Sequence, residues 1–292
     1  KSVHGDVRDL KFLKKNIGNS EIVFHLAAQP LVLESYKNPV DTYATNVMGT
    51  INLLEACREN INLKAIVNVT TDKCYENREN PEIAYRENEP MGGFDPYSNS
   101  KACSELVTDS YKKSFYRSGE KIGIATARAG NVIGGGDFAM DRLIPDCIRG
   151  VMKGEKIIVR NPDSTRPWQH VLEPLAGYLM LAESLSKSPK AFSEGWNFGP
   201  REKDAKSVLD VMDIFCKLWG HGASYEIRKN PNAPHEAGYL KLNSLKAQKK
   251  LLWKPRWKSE TAVKKTVEWY KAYLKNENLE KITLAQIESY DG

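Results

Sequence analysis

Residues Thr70 to Tyr75 read TTDKCY and set a hydroxyl, a carboxylate and an ammonium side by side, directly after KAIVNV, a run apolar enough to be a buried strand. Charges beside a core are costly unless they are paired or used. In open α/β sheets, ligands bind beyond the carboxyl ends of the strands. Thr71, Asp72 and Lys73 therefore form either a solvated turn or a reaction centre, where an acid and a base lie within reach of adjacent atoms. The plain structural alternative for Asp72 is a salt bridge to Lys73.

A second constellation is PYSNSK, in which Tyr97 and Lys101 stand four residues apart. On a helix such residues are neighbours on one face. A tyrosine, with an ordinary pKa of ~10, is a poor base at neutral pH. A nearby ammonium favours the phenolate, which suits the pair to taking a hydroxyl proton as hydride leaves the same carbon. The spacing alone is weak, because 13 tyrosines are present and roughly one residue in ten being lysine predicts about one accidental match. The other match, Tyr225 with Lys229, lies in the strand-like YEIRK, where four-residue spacing does not bring side chains together.

The elements that must position these groups follow from the patterning. Strand-like runs alternate with helical periodicity, the signature of βαβ units and a mostly parallel sheet. Glu21 to Ala28, the LKAIVNVTT run, and KIGIATARAG leading into a glycine-rich turn read as strands. Residues 40–60 carry Tyr43, Val47, Ile51, Leu54 and Cys57 at helical spacing, and Pro96 to Arg117 reads as a long helix with Pro96 in its first turn. The opening SVHGDVRDL reads as a short strand and turn. Beyond about Gly134 the elements shorten, with strands expected in EKIIVRNP and EGWNFGP and helices in VLEPLAGYLMLAESL and SETAVKKTVEWYKAYLK.

Composition bounds the function. The 292 residues are 41% hydrophobic and 27% charged, as in ordinary globular proteins, and no apolar run approaches the ~20 residues of a membrane span. Five scattered cysteines without a C-x-x-C pair predict reduced thiols and a cytoplasmic enzyme. The net charge of +6 comes from 43 basic and 37 acidic residues interspersed without a long basic run. That pattern argues against a nucleic-acid partner and for a basic cleft that takes a phosphorylated small molecule.

HLAAQ, TNVMGT, TTDKCY, PYSNSK, ARAGNVIGGGD, RLIPD and RPWQHVLEP, in this order, resemble the extended short-chain dehydrogenases/reductases, the NAD-dependent epimerase/dehydratase family, and within it the nucleotide-sugar 4,6-dehydratases. The resemblance covers nearly the whole chain, including EGWNFGP and PHEAGYLKLN. It implies a Rossmann-type doubly wound parallel sheet with a smaller C-terminal substrate-binding region. Residues 1–134 and 170–198 would form the NAD-binding domain, and 135–169 and 199–292 the nucleotide-sugar domain. It also implies NAD as a tightly held hydride store, CDP-glucose as substrate, a homodimer that partly buries Tyr43, Val47, Leu106 and Val107, and a place in deoxysugar synthesis for surface polysaccharide. No metal is implied.

On this reading Tyr97, helped by Thr71, takes the sugar C4 hydroxyl proton, while Lys101 lowers the tyrosine pKa and binds the nicotinamide ribose. Asp72, as a neutral acid, protonates the departing C6 hydroxyl. Related dehydratases generally carry glutamate where this chain has Lys73, so Lys73 is either the C5 base or an electrostatic stabiliser of the enolate. Asp6 and Val7 would reach the adenine side of NAD, and Leu26, Ala27, Ala28, Gln29 and Thr45 would line its nicotinamide half. Ala27 and Ala28 are equally compatible with core packing. Asn131, Arg142, Arg160 and Arg166 are candidates for the nucleotide diphosphate, since guanidinium forks match phosphate oxygens. His235 and Tyr239 would close over the base or ribose, or are merely satisfied polar residues. The G-x-x-G-x-x-G loop of the first strand is absent. This predicts a chain that lacks an N-terminal βαβ portion and holds NAD poorly by itself. A 4-epimerase, a decarboxylase, a dTDP- or GDP-sugar dehydratase, or a non-catalytic dinucleotide-binding protein remain the competing functions.

Overall fold

A computed structural model describes residues 2–229 and 234–292. Its centre is a four-stranded parallel sheet of Ile22–His25, Ala65–Val69, Gly123–Ala129 and Gly195–Phe198, ordered in space as in sequence. The middle two strands are covered on both faces, which is why they read as largely apolar runs. Strand alternation sends Ala65, Val67, Ala125, Ala127, Ala129, Trp196 and Phe198 to one face, under Tyr178, Leu181 and Leu185 of the Leu172–Lys187 helix. Ile66 and Ile124 point the other way, against Leu53, Leu54 and Cys57 of the Gly49–Cys57 helix and Leu13 of the Leu10–Ile17 helix. That second face also carries buried Asn68, Thr126 and Arg128, each of which donates to the long Pro96–Phe115 helix.

The helix Pro96–Phe115 begins where local chemistry dictates. Asp95 caps it, accepting from the Ser98 amide at 2.9 Å and the Ser98 hydroxyl at 2.6 Å, and Pro96 occupies the first turn. Residues 40–60 depart from the expected single helix. They form Pro39–Tyr43, a π-helical turn Ala44–Met48 and Gly49–Cys57. The turn's only fully buried side chain, Asn46, accepts from the Gln29 amide at 2.8 Å and donates to the Gln29 carbonyl at 3.0 Å and Ser100 at 2.8 Å. A widened turn in a helix is a frequent companion of such an inserted polar contact. The expected strand in SVHGDVRDL is replaced by a turn, because Asp9 caps the helix that follows by accepting from the Phe12 amide at 3.0 Å.

A second core lies around Ile144, Ile148, Val159, Trp168, Met212, Phe215, Val263 and Tyr270. Small pairings of Ile157–Val159 with Tyr225–Ile227 and of Thr165–Arg166 with Lys206–Ser207 frame it. From beyond residue 199, Ala247, Leu251 and Trp253 pack into the core under the main sheet. Glu173, fully buried, ties this C-terminal part to the sheet-covering helix by accepting from the Arg256 amide at 3.0 Å, the Trp257 amide at 2.6 Å and the Tyr290 hydroxyl at 2.9 Å. Among the described residues no helix is long and apolar enough to cross a membrane.

Gly93 adopts φ of 97° just ahead of the Asp95 cap, and a Cβ there would lie 2.4 Å from the Asn99 nitrogen. Gly93→Ala is expected to lower stability by about 1–3 kcal/mol, seen as an earlier urea midpoint. An unmoved midpoint would show that the left-handed turn is dispensable.

Candidate active site

The buried strand Ala65–Val69 ends at Thr70, whose amide is still held by the Ala127 carbonyl at 2.8 Å. The chain then leaves the sheet, and extended Thr71 caps the single 3₁₀ turn Asp72–Cys74, its hydroxyl accepting from the Lys73 amide at 3.3 Å and donating to Asp72 Oδ1 at 3.0 Å. The helix Pro96–Phe115 packs against this turn. Thr71, Asp72, Lys73 and Tyr97 thereby line one cavity of ≈ 500 Å³, with Asn131, Arg142, Arg160 and Arg166 on its other walls.

Asp72 is the unusual member. It is 2% exposed, and its Oδ2 is buried without a hydrogen-bond partner. Burial raises its pKa to about 6, against the pull of the Lys73 charge, the Thr71 hydroxyl and Arg166. The salt bridge to Lys73 does not form among the described residues. Lys73 is half-buried, and burial, then the Arg166 charge, push its pKa down, which favours the neutral amine.

Tyr97 and Lys101 are both buried, at 8% and 6% exposure. Burial pushes the Tyr97 phenol up to about 12, and the neighbouring Thr71 hydroxyl pulls it down. The expected help from Lys101 is not expressed here. Its ammonium donates to the Val69 carbonyl at 3.2 Å, and the charges acting most on the phenol are those of Asp72, Arg142 and Asp95. Burial lowers Lys101 to about 8, while Glu105 and Cys74 hold it up. An ammonium spends one of its three donors on Val69 and keeps two for a ligand.

Arg166 is buried, donates to the carbonyls of Thr165 and Ala237, and has no carboxylate partner among the described residues. Arg142 pairs with Asp137 at 2.9 Å, and Arg160 pairs with Asp141 at 3.2 Å and Asp146 at 3.4 Å. His235 and Tyr239, expected to close over a base or ribose, do not line the cavity. The His235 ring turns to Glu79 at 2.9 Å and Phe94, its centroid 4.4 Å away, while Tyr239 faces the Lys241 ammonium.

At the end of the first strand, Leu26 and Ala27 are exposed and Ala28 and Thr45 are half-buried, so Ala27 and Ala28 are not core residues. Gln29 departs from expectation, because its side chain is engaged with Leu31 and with Thr42 at 2.9 Å and is not free for a ligand. Val7 packs on Gly49 and its carbonyl accepts from Asn52 at 3.1 Å; Asp6 is held by Arg8 at 3.0 Å on the surface. The open strand end with the spare Lys101 donors fits an extended dinucleotide lying across the carboxyl edge of the sheet.

Sequence reasoning passed over Glu105 and Arg128, a fully buried ion pair at 2.8 Å beside this site. The signal for Glu105 was present, since it stands one helical turn beyond Lys101.

The family model described as GDP-mannose 4,6 dehydratase matches residues 1–266. The CDP-glucose 4,6-dehydratase of Salmonella typhimurium is 51% identical over 98% of this chain and 81% of its own length. The dTDP-glucose 4,6-dehydratase of Shigella flexneri is 27% identical over 92% and 78%. Among solved structures, a dTDP-glucose 4,6-dehydratase of Streptomyces venezuelae, crystallised with NAD, aligns with a TM-score of 0.80 at 23% identity, covering 92% of this chain and 79% of its own. A UDP-glucuronic acid 4-epimerase variant of Bacillus cereus aligns equally well, at 0.80 and 22% identity, over 93% and 81%.

A buried carboxyl whose pKa is raised favours the folded state at low pH and loses that contribution as pH rises through about 6. Asp72→Asn is therefore expected to gain stability over the wild type as pH goes from 4 to 7, by up to about 3 kcal/mol. Parallel Tm curves for the two proteins across that range would show that the carboxyl is not desolvated.

Proposed function

The chain belongs to the family of the GDP-mannose 4,6 dehydratase model, within the extended short-chain dehydrogenases/reductases, and on that premise we propose that it dehydrates CDP-glucose to CDP-4-keto-6-deoxyglucose. The observation that carries the reading is a buried carboxyl with a raised pKa and an unpartnered oxygen, in the same cavity as a buried tyrosine. An epimerase needs the tyrosine but no acid for a leaving hydroxyl, whereas a dehydratase needs both. The relative at 51% identity carries the matching name.

NAD would be held by Leu26, Ala27, Ala28, the Gln29 backbone and Thr45, and it would supply the hydride acceptor for the sugar C4 and the donor for C6. The chain's own residues handle the protons. Tyr97, entering as the phenolate beside the Thr71 hydroxyl, takes the C4 hydroxyl proton and sheds it to solvent before the next turnover, while Lys101 turns its two free donors to the nicotinamide ribose. Oxidation at C4 acidifies the C5 hydrogen. The Lys73 amine then takes that proton, the C5–C6 double bond forms, the C6–O bond breaks, and Asp72 gives its proton to the departing hydroxyl, releasing water. Lys73 returns its proton to C5 as C6 is reduced, and Asp72 regains one from solvent. Arg166, with Asn131, Arg142 and Arg160, holds the diphosphate. Residues 1–134 and 170–198 serve the dinucleotide and most of 135–169 and 199–292 the sugar nucleotide, in a cytoplasmic homodimer. Support for the dimer is exposed apolar surface on the helices nearest the site, with Val40 82%, Met48 49% and Leu106 60% exposed.

The test is to offer CDP-, dTDP- and UDP-glucose to the enzyme in excess NAD and follow 4-keto-6-deoxy product. CDP-glucose is expected to be turned over fastest, and formation of a C4-epimer without keto product would favour the epimerase instead. Lys73→Met is expected to abolish keto-deoxy product while slow C4 oxidation persists as reduced nicotinamide. Loss of neither activity removes Lys73 from the chemistry. Since the acid must carry its proton, wild-type turnover should decline as pH rises past the Asp72 pKa of about 6 in the free enzyme.

A further inference from the structure

The segment that carries the acid and base is held at both ends by one buried ion pair. Thr70, immediately before Thr71, donates its hydroxyl to Glu105 Oε1. Tyr75, at the far side of Lys73, accepts at its hydroxyl from Arg128 at 2.8 Å and passes its own proton to Asn197 at 2.7 Å. Glu105 and Arg128 join each other through two parallel bonds, Nε to Oε1 and Nη2 to Oε2, both 2.8 Å. Thr126 adds a bond to Glu105 at 2.6 Å, and the Glu87 carbonyl accepts from Arg128 at 3.0 Å. Every charge in the cluster is thus met, and Glu105 and Arg128 are about 95% buried. A fork-to-fork pair of this kind fixes angle as well as distance.

Its placement matters more than its strength. Glu105 rides on the helix that carries Tyr97 and Lys101, while Arg128 rides on the adjacent strand Gly123–Ala129. The pair therefore refers Thr71, Asp72 and Lys73 to the tyrosine helix, although none of the three touches Glu105 or Arg128 through a hydrogen bond. Between its two anchored ends the segment has only the short 3₁₀ turn and the Thr71 cap to set its shape.

We propose that Glu105 and Arg128 are positioning residues for the dehydration, acting through Thr70 and Tyr75 to hold the acid–base segment at working distance from the Tyr97 helix. The proposal rests on the dehydratase reading above. It assigns the pair to the elimination more than to the oxidation, because the oxidation depends on Tyr97 and Lys101 of the helix itself, whereas elimination depends on Asp72 and Lys73 of the tethered segment.

The test compares Thr70→Val, Thr70→Ser and Tyr75→Phe in the NAD-loaded enzyme, none of which leaves a buried charge without its partner. Misplacement of reacting groups by about 1 Å costs up to a hundredfold in rate. Thr70→Val and Tyr75→Phe are expected to lower formation of keto-deoxy product on the order of tenfold to a hundredfold and to raise the steady-state fraction of enzyme carrying reduced nicotinamide. Thr70→Ser, which restores the donor, is expected to recover both. A purely structural role would lower Tm and the active fraction while leaving the ratio of oxidation to elimination as in the wild type; that unchanged ratio overturns the proposal. Failure of the wild type to make keto product from any of the three sugars would instead overturn the dehydratase reading, a separate result. Should Thr70→Val not fold, Tyr75→Phe decides through the same ratio.

Discussion

A carboxyl group taken out of water at the tip of a buried strand is the constraint around which this molecule is arranged. Asp72 is held on one oxygen and left bare on the other, with an ammonium and a guanidinium close enough to pull on it but not paired with it. Such a group is unfavourable in the free protein at neutral pH, and it stays in place because its surroundings are over-determined: a fully buried strand before it, a capped turn around it, and a helix packed across it. The same desolvation that makes the charged group costly keeps the carboxyl protonated to higher pH than an exposed aspartate.

Much of this arrangement was legible in the sequence, for identifiable reasons. Tyr97 and Lys101 share a face because they are four apart on a helix whose start is written in the Asp95–Pro96 pair. Asp72 stands at a strand tip because the apolar run before it is long enough to cross a buried layer. Local rules reach that far and no farther. Lys101 turns to the Val69 carbonyl, and Gln29 is taken by Thr42, through choices of rotamer and partner that depend on residues many positions away. His235 could not be placed, since its orientation is decided by Glu79 and Phe94, both more than a hundred residues earlier in the chain. The widened turn at Ala44–Met48 was equally out of reach, because helical spacing of Tyr43, Val47 and Ile51 gives no sign that Asn46 is needed inside.

The buried polar layer between the Pro96–Phe115 helix and the sheet marks a contrast with the opposite face. Under the Leu172–Lys187 helix the sheet is sealed by aromatic and aliphatic side chains, Tyr178, Trp196, Phe198 and Trp253 among them. Apolar packing tolerates small shifts of one layer over another, whereas a bidentate ion pair with matched hydroxyls does not. The face under the Pro96–Phe115 helix is joined by directional contacts, and the opposite face is joined by shape.

The carboxylates facing Arg142 and Arg160 carry a final implication for how anions are admitted. Asp137, Asp141 and Asp146 pair with these two guanidiniums, whereas Arg166, deeper, has no carboxylate partner among the described residues. An anion long enough to reach all three would meet one guanidinium without a carboxylate at the inner end and two with carboxylate partners at the outer, so positive charge along the cleft is graded from the Asp72 end outward.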